Sequence, residues 1–505
     1  MGKKNAGILP FKMKPYNQEE RIMGTEKKLE FVGGNGVSLL PFIVFIVITI
    51  GLSFINAADL NMMIASGVIG LIAGMLFCKN KDQYWDVVLE GLGDKMAMTA
   101  VLIWLVVGIY GTILRQGQLV EGLVWLSVKL HLSGSAFCVA AFLFSAAFAL
   151  ATGAAFGTVA AMTPILYPVG VIMGCDPAVL GGAIISGAIF GDNIAPVSDT
   201  TIVSTTGQLY TKKSGSAEIG GAVKDRSKYV IPAFLISMVL FFVFGGAKGG
   251  AALDASVADS LVASHQNPAG LLMMIPTVIV IGMAVMGNNL FVTLPVGIIV
   301  ATVVGLGAGL FGVNDLFYIE NGVALGALPS GVAGMLNVCI LLMVVVSMGN
   351  LLIKSGYMGE LVEKLSGNIK TTKGAEMLIF LFSTAFSVLI SAINTIPNIC
   401  ASPLVNALGQ KAKLHPFRRA NFLAVACDSF NACMPFGGSV LLLLGCIKTL
   451  AADASYITVP SPNAFLTTCF YPCILWVVMF IAVLTGWGRI YEGPDGKPVK
   501  EMPKD

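Results

Sequence analysis

Two aspartates, an asparagine, three hydroxyl side chains and a proline crowd into FGDNIAPVSDTT, Phe190–Thr201, inside an otherwise apolar stretch. Asp192, Asn193, Ser198, Asp199, Thr200 and Thr201 offer only oxygens and amides, and no histidine is near. Such donors suit a hard monovalent or divalent cation, and sodium, held by Asp192 and Asp199, is the expected metal. Pro196 has no N–H to return to the carbonyl of Asp192, so a helix breaks here and bares a backbone oxygen beside the carboxylate. A buried aspartate that binds either a cation or a proton, never both, exchanges one for the other.

Two further polar islands share this character. Asp428, Ser429 and Asn431 precede Pro435, and Ser391, Asn394 and Thr395 precede Pro397 and Asn398. Each also has a structural reading. Ser198 and Asp199 are good N-caps for the short segment that follows. Thr152, Thr158, Ser391 and Thr395 can simply bond neighbouring helices, as small polar residues do in membranes. Asp192 and Asp428 resist that reading. Asp192 lies sixteen residues past Asp176, about 24 Å along a helix. That puts it at mid-membrane depth, where a carboxylate costs roughly 2.5–3.5 kcal/mol on insertion scales and so needs a protein-lined cavity.

These islands sit in 505 residues that are 56% hydrophobic and 12% charged, with 58 glycines. Charge-free stretches recur from Phe31–Ala58 to Ala454–Gly488, several long enough for one span and the longest for two. The reading is an all-α, polytopic membrane protein of ten to twelve transmembrane elements with broken helices and re-entrant hairpins. Leu132–Cys175 fits either one such hairpin or two full spans. No phosphate-binding loop G-x-x-x-x-G-K-[ST] occurs, and no nucleophile–base pair or C-x-x-C pair stands out among ten scattered cysteines. An enzyme, a resident cofactor and a nucleic-acid partner are therefore not expected.

FLFSAAFALATGAAFGT from Phe142 returns as FLFSTAFSVLISAINTI from Phe380, an offset of 238. ILRQGQLVEGL from Ile113 pairs with LIKSGYMGEL from Leu352 at 239, and Asp192 with Asp428 at 236. Basic loops stay cytoplasmic. The loop Tyr210–Lys228 and KAKLHPFRR, Lys411–Arg419, are basic, whereas GVIMGCDP, Gly170–Pro177, the counterpart of the latter, has no basic residue. Equivalent loops therefore fall on opposite sides, which makes two inverted-topology repeats of the kind that rock about a shared midplane site. The expected organisation is a basic, disordered cytoplasmic tail over 1–36, repeat 1 over 37–246, an extracytoplasmic connection over 247–268, repeat 2 over 269–488, and a cytoplasmic tail over 489–505. Both termini are cytoplasmic.

GAIFGDNIAPVSDTT resembles the signature of the NhaC-type sodium/proton antiporter family within the wider ion-transporter superfamily. Phe190, Gly191, Asp192, Pro196, Ser198, Asp199, Thr200 and Thr201 fit the pattern, while Ala195 stands where a serine is expected. The resemblance implies sodium/proton exchange across a bacterial-type inner membrane, with relatives that exchange small organic anions or amino acids. It also implies two hairpin tips and two broken helices around the site.

Two readings follow. In the first, Asp192, with Asp199 or Asp428, binds sodium and protons alternately. In the second, Thr152, Thr158, Ser391, Asn394, Thr395, Ser429 and Asn431 bind a small carboxylate or amino acid, and the aspartates serve only the coupling ion. The wealth of neutral amides in repeat 2 favours the second, and the absence of a deep arginine to grip a carboxylate counts against it. Expected partners are the lipid bilayer, sodium and protons, an organic solute in the second reading, and a homo-oligomer by analogy with other inverted-repeat carriers.

Overall fold

The structure is a computed structural model that describes residues 28–54, 60–132, 134–196, 198–246, 260, 263–286, 290–366, 371–390 and 394–503. Repeat 1 opens with α1 (Leu40–Phe54), α2 (Leu60–Phe77), α3 (Lys81–Leu92), α4 (Lys95–Gln116) and α5 (Leu119–Lys129). A helical hairpin follows, α6 (Gly134–Thr152) and α7 (Ala155–Ile172), then the interrupted span α8 (Pro177–Ile194) and α9 (Asp199–Thr206), and α10 (Ile219–Phe244). The second half comprises α11 (Met274–Val285), α12 (Leu290–Gly307), α13 (Ala327–Lys354) and α14 (Tyr357–Ser366). Its hairpin is α15 (Thr372–Leu389) and α16 (Thr395–Lys411), its interrupted span α17 (Pro416–Ser429) and α18 (Gly438–Asp453), and its last helix α19 (Phe470–Thr485). Among the described residues, strands form two short hairpins, Tyr318–Glu320 with Val323–Leu325 and Tyr491–Glu492 with Pro498–Val499, beside isolated bridges such as Phe31 with Cys78.

Among the described residues, eight helices are long and apolar enough to cross a membrane, nine with the bent pair Pro462–Thr468 and Phe470–Thr485, and four shorter apolar helices accompany them. The chain is a multi-pass membrane protein. Val47, Ile69, Val239, Val303 and Ile481 leave apolar side chains exposed around the outside, as a lipid-facing surface requires, whereas α7, α8, α16 and α17 are buried on nearly every face.

The sequence repeat is a repeat of elements: short helix, hairpin, interrupted span. Both interrupted spans start the same way. Asp176 accepts from the N–H groups of Ala178 and Val179 ahead of Pro177, and His415 accepts from Phe417 ahead of Pro416. Proline in the first turn gives up an N–H that would be unsatisfied anyway. Close packing of α8 on α6 depends on missing side chains: a Cβ on Gly187 or Gly191 would run into the carbonyl of Phe142 or of Ala146.

Several expectations change. Residues 134–172 form a helical hairpin, and Ala154 and Ala155 at its tip line the same cleft as Asp192 and Asp199. Pro397 lies in the first turn of α16, where it starts a helix instead of breaking one. The expected disordered tail is packed from residue 28 onward: Leu29 and Phe31 are buried, and Leu29 N–H donates to the Lys354 carbonyl. Arg226, Arg418 and Arg419, counted as loop charges, are fully buried helical residues.

Candidate functional site

Helix α8 ends at Ile194, and Ala195 turns extended with ψ 121°. Chain direction is recovered when the Ser198 hydroxyl caps α9 by accepting from Thr201 N–H at 3.4 Å. The structural reading of Ser198 as an N-cap thus holds, and the same hydroxyl also contacts Thr200 Oγ1 at 2.9 Å. Thr200 Oγ1 donates to Asp192 Oδ2 at 3.0 Å, so the first turn of α9 orients the carboxylate at the end of α8. Asp192 is 4% exposed.

The second interruption is built differently. After Ser429 come a 3-10 turn, Phe430–Ala432, and an irregular run through Pro435 to the start of α18. Gly437 is required here because a Cβ would strike the Asn431 carbonyl. Asp428 is fully buried at the end of α17 and accepts from Asn398 Nδ2 at 3.5 Å, which links it to the tip of the second hairpin. Asn398 also donates to the Asn394 carbonyl at 2.8 Å. Around this break, Asn394 Nδ2 and Oδ1, Asn398 Oδ1, Asp428 Oδ2, Ser429 Oγ and Asn431 Nδ2 are buried without a partner in the protein. Buried polar groups seldom go unpaired, so a cluster of them marks a place where another species binds.

Arg226 is the residue that sequence reasoning missed. It is fully buried, and it donates through Nη1 to the Asn193 carbonyl at 2.8 Å and Thr201 Oγ1 at 3.1 Å. Its Nε donates to Asn421 Oδ1 on α17 at 3.0 Å. The backbone oxygen engaged at the first break is therefore that of Asn193, one residue beyond the one expected. A signal was present: Arg226, Val230, Ala233, Ser237 and Phe241 fall at helical spacing on one face, and all are buried. The arginine thus continues a buried stripe, although its charged neighbours Lys224, Asp225 and Lys228 read as a loop.

A cleft of about 100 Å³ brings the two halves together, lined by Asp192, Asp199, Asn394, Thr395, Trp104 and Phe156 among others. Of the residues expected to bind a cation, Asp192, Asp199 and Thr200 line it, and Ser198 lies one hydrogen bond behind. Asn193 and Thr201 point away, Asn193 toward Tyr471 and Thr201 toward Arg226. Of the second set, Asn394 and Thr395 line the cleft. The Thr152 and Thr158 hydroxyls donate to carbonyls in their own helical turns, those of Phe148 and Ala154. Ser391 lies outside the described residues. Among the described residues no cluster of three or more His, Cys, Asp and Glu side chains could hold a metal. A sodium site here would rest on two carboxylates supplemented by hydroxyls and carbonyls.

The model of the Na+/H+ antiporter family matches residues 29–214. The chain is 28% identical over 348 residues to the malate-2H+/Na+-lactate antiporter of Bacillus subtilis, an alignment that covers 64% of this chain and 71% of that one. It is 27% identical over 157 residues to the Na+/H+ antiporter NhaC of Alkalihalophilus pseudofirmus, covering 30% and 31%. An uncharacterized Na+/H+ antiporter of Haemophilus influenzae is 24% identical over 208 residues, covering 41% and 42%. The matched region contains the whole of FGDNIAPVSDTT, so the resemblance read from that stretch holds, and the chain is a secondary transporter related to the Na+/H+ antiporter family.

Proposed function

We propose that this protein exchanges sodium for protons across a cell membrane at a site centred on Asp192. The observation that carries this is the position of Asp192: buried at a helix break, oriented by Thr200, and open to a cleft that both hairpin tips reach. Ionised, Asp192 takes sodium with Asp199 and Thr200; protonated, it releases the ion. Asp428 and the unpartnered oxygens of Asn398 and Ser429 supply the repeat-2 half of the site. Alternating access follows from rocking of repeats 37–246 and 269–488, with the hairpins re-entrant from opposite faces and both termini cytoplasmic. Loop charge supports that orientation even with three arginines removed from the count, because Lys212, Lys213, Lys224, Lys411 and Lys413 remain.

The lining of the cleft supports a second reading. A bare sodium ion has no use for Trp104, Phe156 and an unpartnered Asn394 amide around it. A small carboxylate or amino acid would use all three, and the Bacillus subtilis relative is named for malate and lactate. Arg226 has a buried, unpartnered Nη2 but does not line the cleft, so it does not supply the grip that this reading lacks.

Reconstitution into liposomes with an internal pH dye separates the two. Addition of sodium alone should move protons, and Asp192→Asn should abolish the movement. If protons move only when malate, lactate or an amino acid is also present, sodium/proton exchange is wrong and the second reading takes its place.

A further inference from the structure

One face of α4 touches four separate spaces in the protein. Trp104 lines the Asp192 cleft and also a small space of about 10 Å³ beside Val338, Leu341, Phe436 and Gly438, at the repeat-2 break. One turn further on, Gly108, Gly111 and Thr112 line a narrow crevice of about 20 Å³ between α4, α7, α13 and α18, together with Cys446. Arg115 then lines both that crevice and a wider mouth of about 420 Å³ that includes Glu121, His265 and Tyr456. Residues 104, 108, 111 and 115 are spaced to lie on one side of a helix. The four spaces follow one another along α4 as a seam, constricted in its middle, from the Asp192 cleft toward the end of that helix.

The seam is closed in this conformation. Its middle is lined mainly by glycines and apolar side chains, with the Thr112 and Thr449 hydroxyls and Arg115 as its polar groups and no acidic side chain. Trp104 is 1% exposed and lies against Phe156, at the first hairpin tip, with ring centroids 5.8 Å apart. Trp104 is the residue that lines both the cleft and the space beside the repeat-2 break. The walls are built for close approach: a Cβ on Gly108 would meet the Gly331 carbonyl, and one on Gly334 would lie 2.8 Å from Thr449 Oγ1. Helices in contact through glycines can slide or part without prying apart interlocked side chains.

We propose that this seam is the second half of the transport path and that Trp104, seated on Phe156, is the gate that keeps the Asp192 cleft from opening to both sides at once. The inference rests on the exchange reading for its cargo but not for its geometry. Trp104 is a positioning residue: it binds no ion, and its removal joins the cleft to the seam and uncouples exchange.

Native Cys446, buried in the crevice, reports on the path, and Cys427, fully buried in α17, serves as an internal reference. Purified protein in liposomes is treated with N-ethylmaleimide, with and without sodium, and labelling of each cysteine is followed by peptide mass spectrometry. In the wild type, Cys446 labelling should depend on sodium while Cys427 stays slow. In Trp104→Ala, Cys446 should label several-fold faster regardless of sodium, and a proton leak should appear without sodium; Trp104→Phe should restore both. If Trp104→Ala does not fold, inhibition of wild-type exchange by N-ethylmaleimide, relieved in Cys446→Ser, supports the path. Equal labelling of Cys446 and Cys427 in folded Trp104→Ala, or inhibition unchanged by Cys446→Ser, overturns it. A wild type that moves no protons with sodium defeats the exchange reading alone, because the labelling comparison still decides the gate.

Discussion

At the scale of single residues, the proposed site sets the Asp192 carboxylate near an arginine whose Nε and Nη1 have acceptors while its buried Nη2 has none. Arg226 satisfies the Asn193 carbonyl and Thr201 on repeat 1 and Asn421 on repeat 2, so it ties the first break to α17. Removing one partner of a buried polar network leaves the others unsatisfied, at about 1–3 kcal/mol per group. Arg226→Ala should therefore lower thermal stability in detergent markedly. Arg226→Lys keeps the charge but cannot hold three acceptors in a fixed plane, and should fold while raising the sodium concentration needed for half-maximal exchange. If Arg226→Lys exchanges with unchanged sodium dependence, the arginine serves only to fill space. Asp192, Asp199 and Thr200 could be read from their types and spacing, because ionisable groups in an apolar run have few other uses. Arg226 could not, because Lys224, Asp225 and Lys228 hid the start of the buried stripe that it belongs to. Trp104 was invisible for another reason: an aromatic residue in an apolar span looks like any other lipid-compatible side chain until its neighbours are known.

At the scale of elements, the two breaks show which prolines matter. Pro196 follows the last turn of α8 and denies an N–H to Asp192, whereas Pro397 sits where α16 has no bond to lose. Proline count therefore gave two correct breaks, at Pro196 and Pro435, and one false one, at Pro397, which falls in the first turn of its helix where an N–H would be unsatisfied anyway. Pro196→Ala restores a donor and should let α8 run on toward α9. Thermal stability should hold or rise by about 1 kcal/mol, the worth of one hydrogen bond, while exchange falls sharply. Pro397→Ala should leave exchange near wild type. Equal losses in both variants would mean that the unwound backbone has no role beyond packing. The repeat itself was legible in the sequence because the matching segments carry the hairpins and breaks, the parts whose geometry tolerates the fewest residues. The helix boundaries at Ile219 and Pro416 were less so, since arginines near a helix start look alike whether they face water or the core.

At the scale of the whole molecule, the C-terminal segment fastens the two halves to each other. Arg489 donates twice to Glu376, which also accepts from Arg418, and the Glu492 carboxylate accepts from Thr211 N–H, Thr211 Oγ1 and Lys212 N–H in the loop after α9. The turn before α17 joins the same assembly: His415 N–H donates to the Ile490 carbonyl, and Glu492 N–H to that of Lys413. Relative motion of the repeats must strain or release this clasp. His415 is its titratable joint. Phe417 N–H donates to Nδ1, so the neutral ring carries its proton on Nε2 and gives it to the Gly496 carbonyl at 3.2 Å. Protonation would place two hydrogens face to face at Nδ1. Burial holds His415 below its ordinary value of 6.5; the Gly496 carbonyl and the Glu492 and Asp225 carboxylates oppose that, and Arg419 adds to it. The sign follows from a depressed imidazole: its contribution is complete above 6.5, where the released segment is also neutral, and declines as pH falls through the folded value. Hydrogen exchange of residues 489–499, corrected for its intrinsic pH dependence, should therefore show protection that falls as pH drops below 6.5. His415→Asn keeps an N-cap oxygen but cannot reach Gly496, and should flatten that dependence. Protection that stays constant over this range in the wild type would mean that the clasp is held without His415 and does not respond to the ion that the transporter moves.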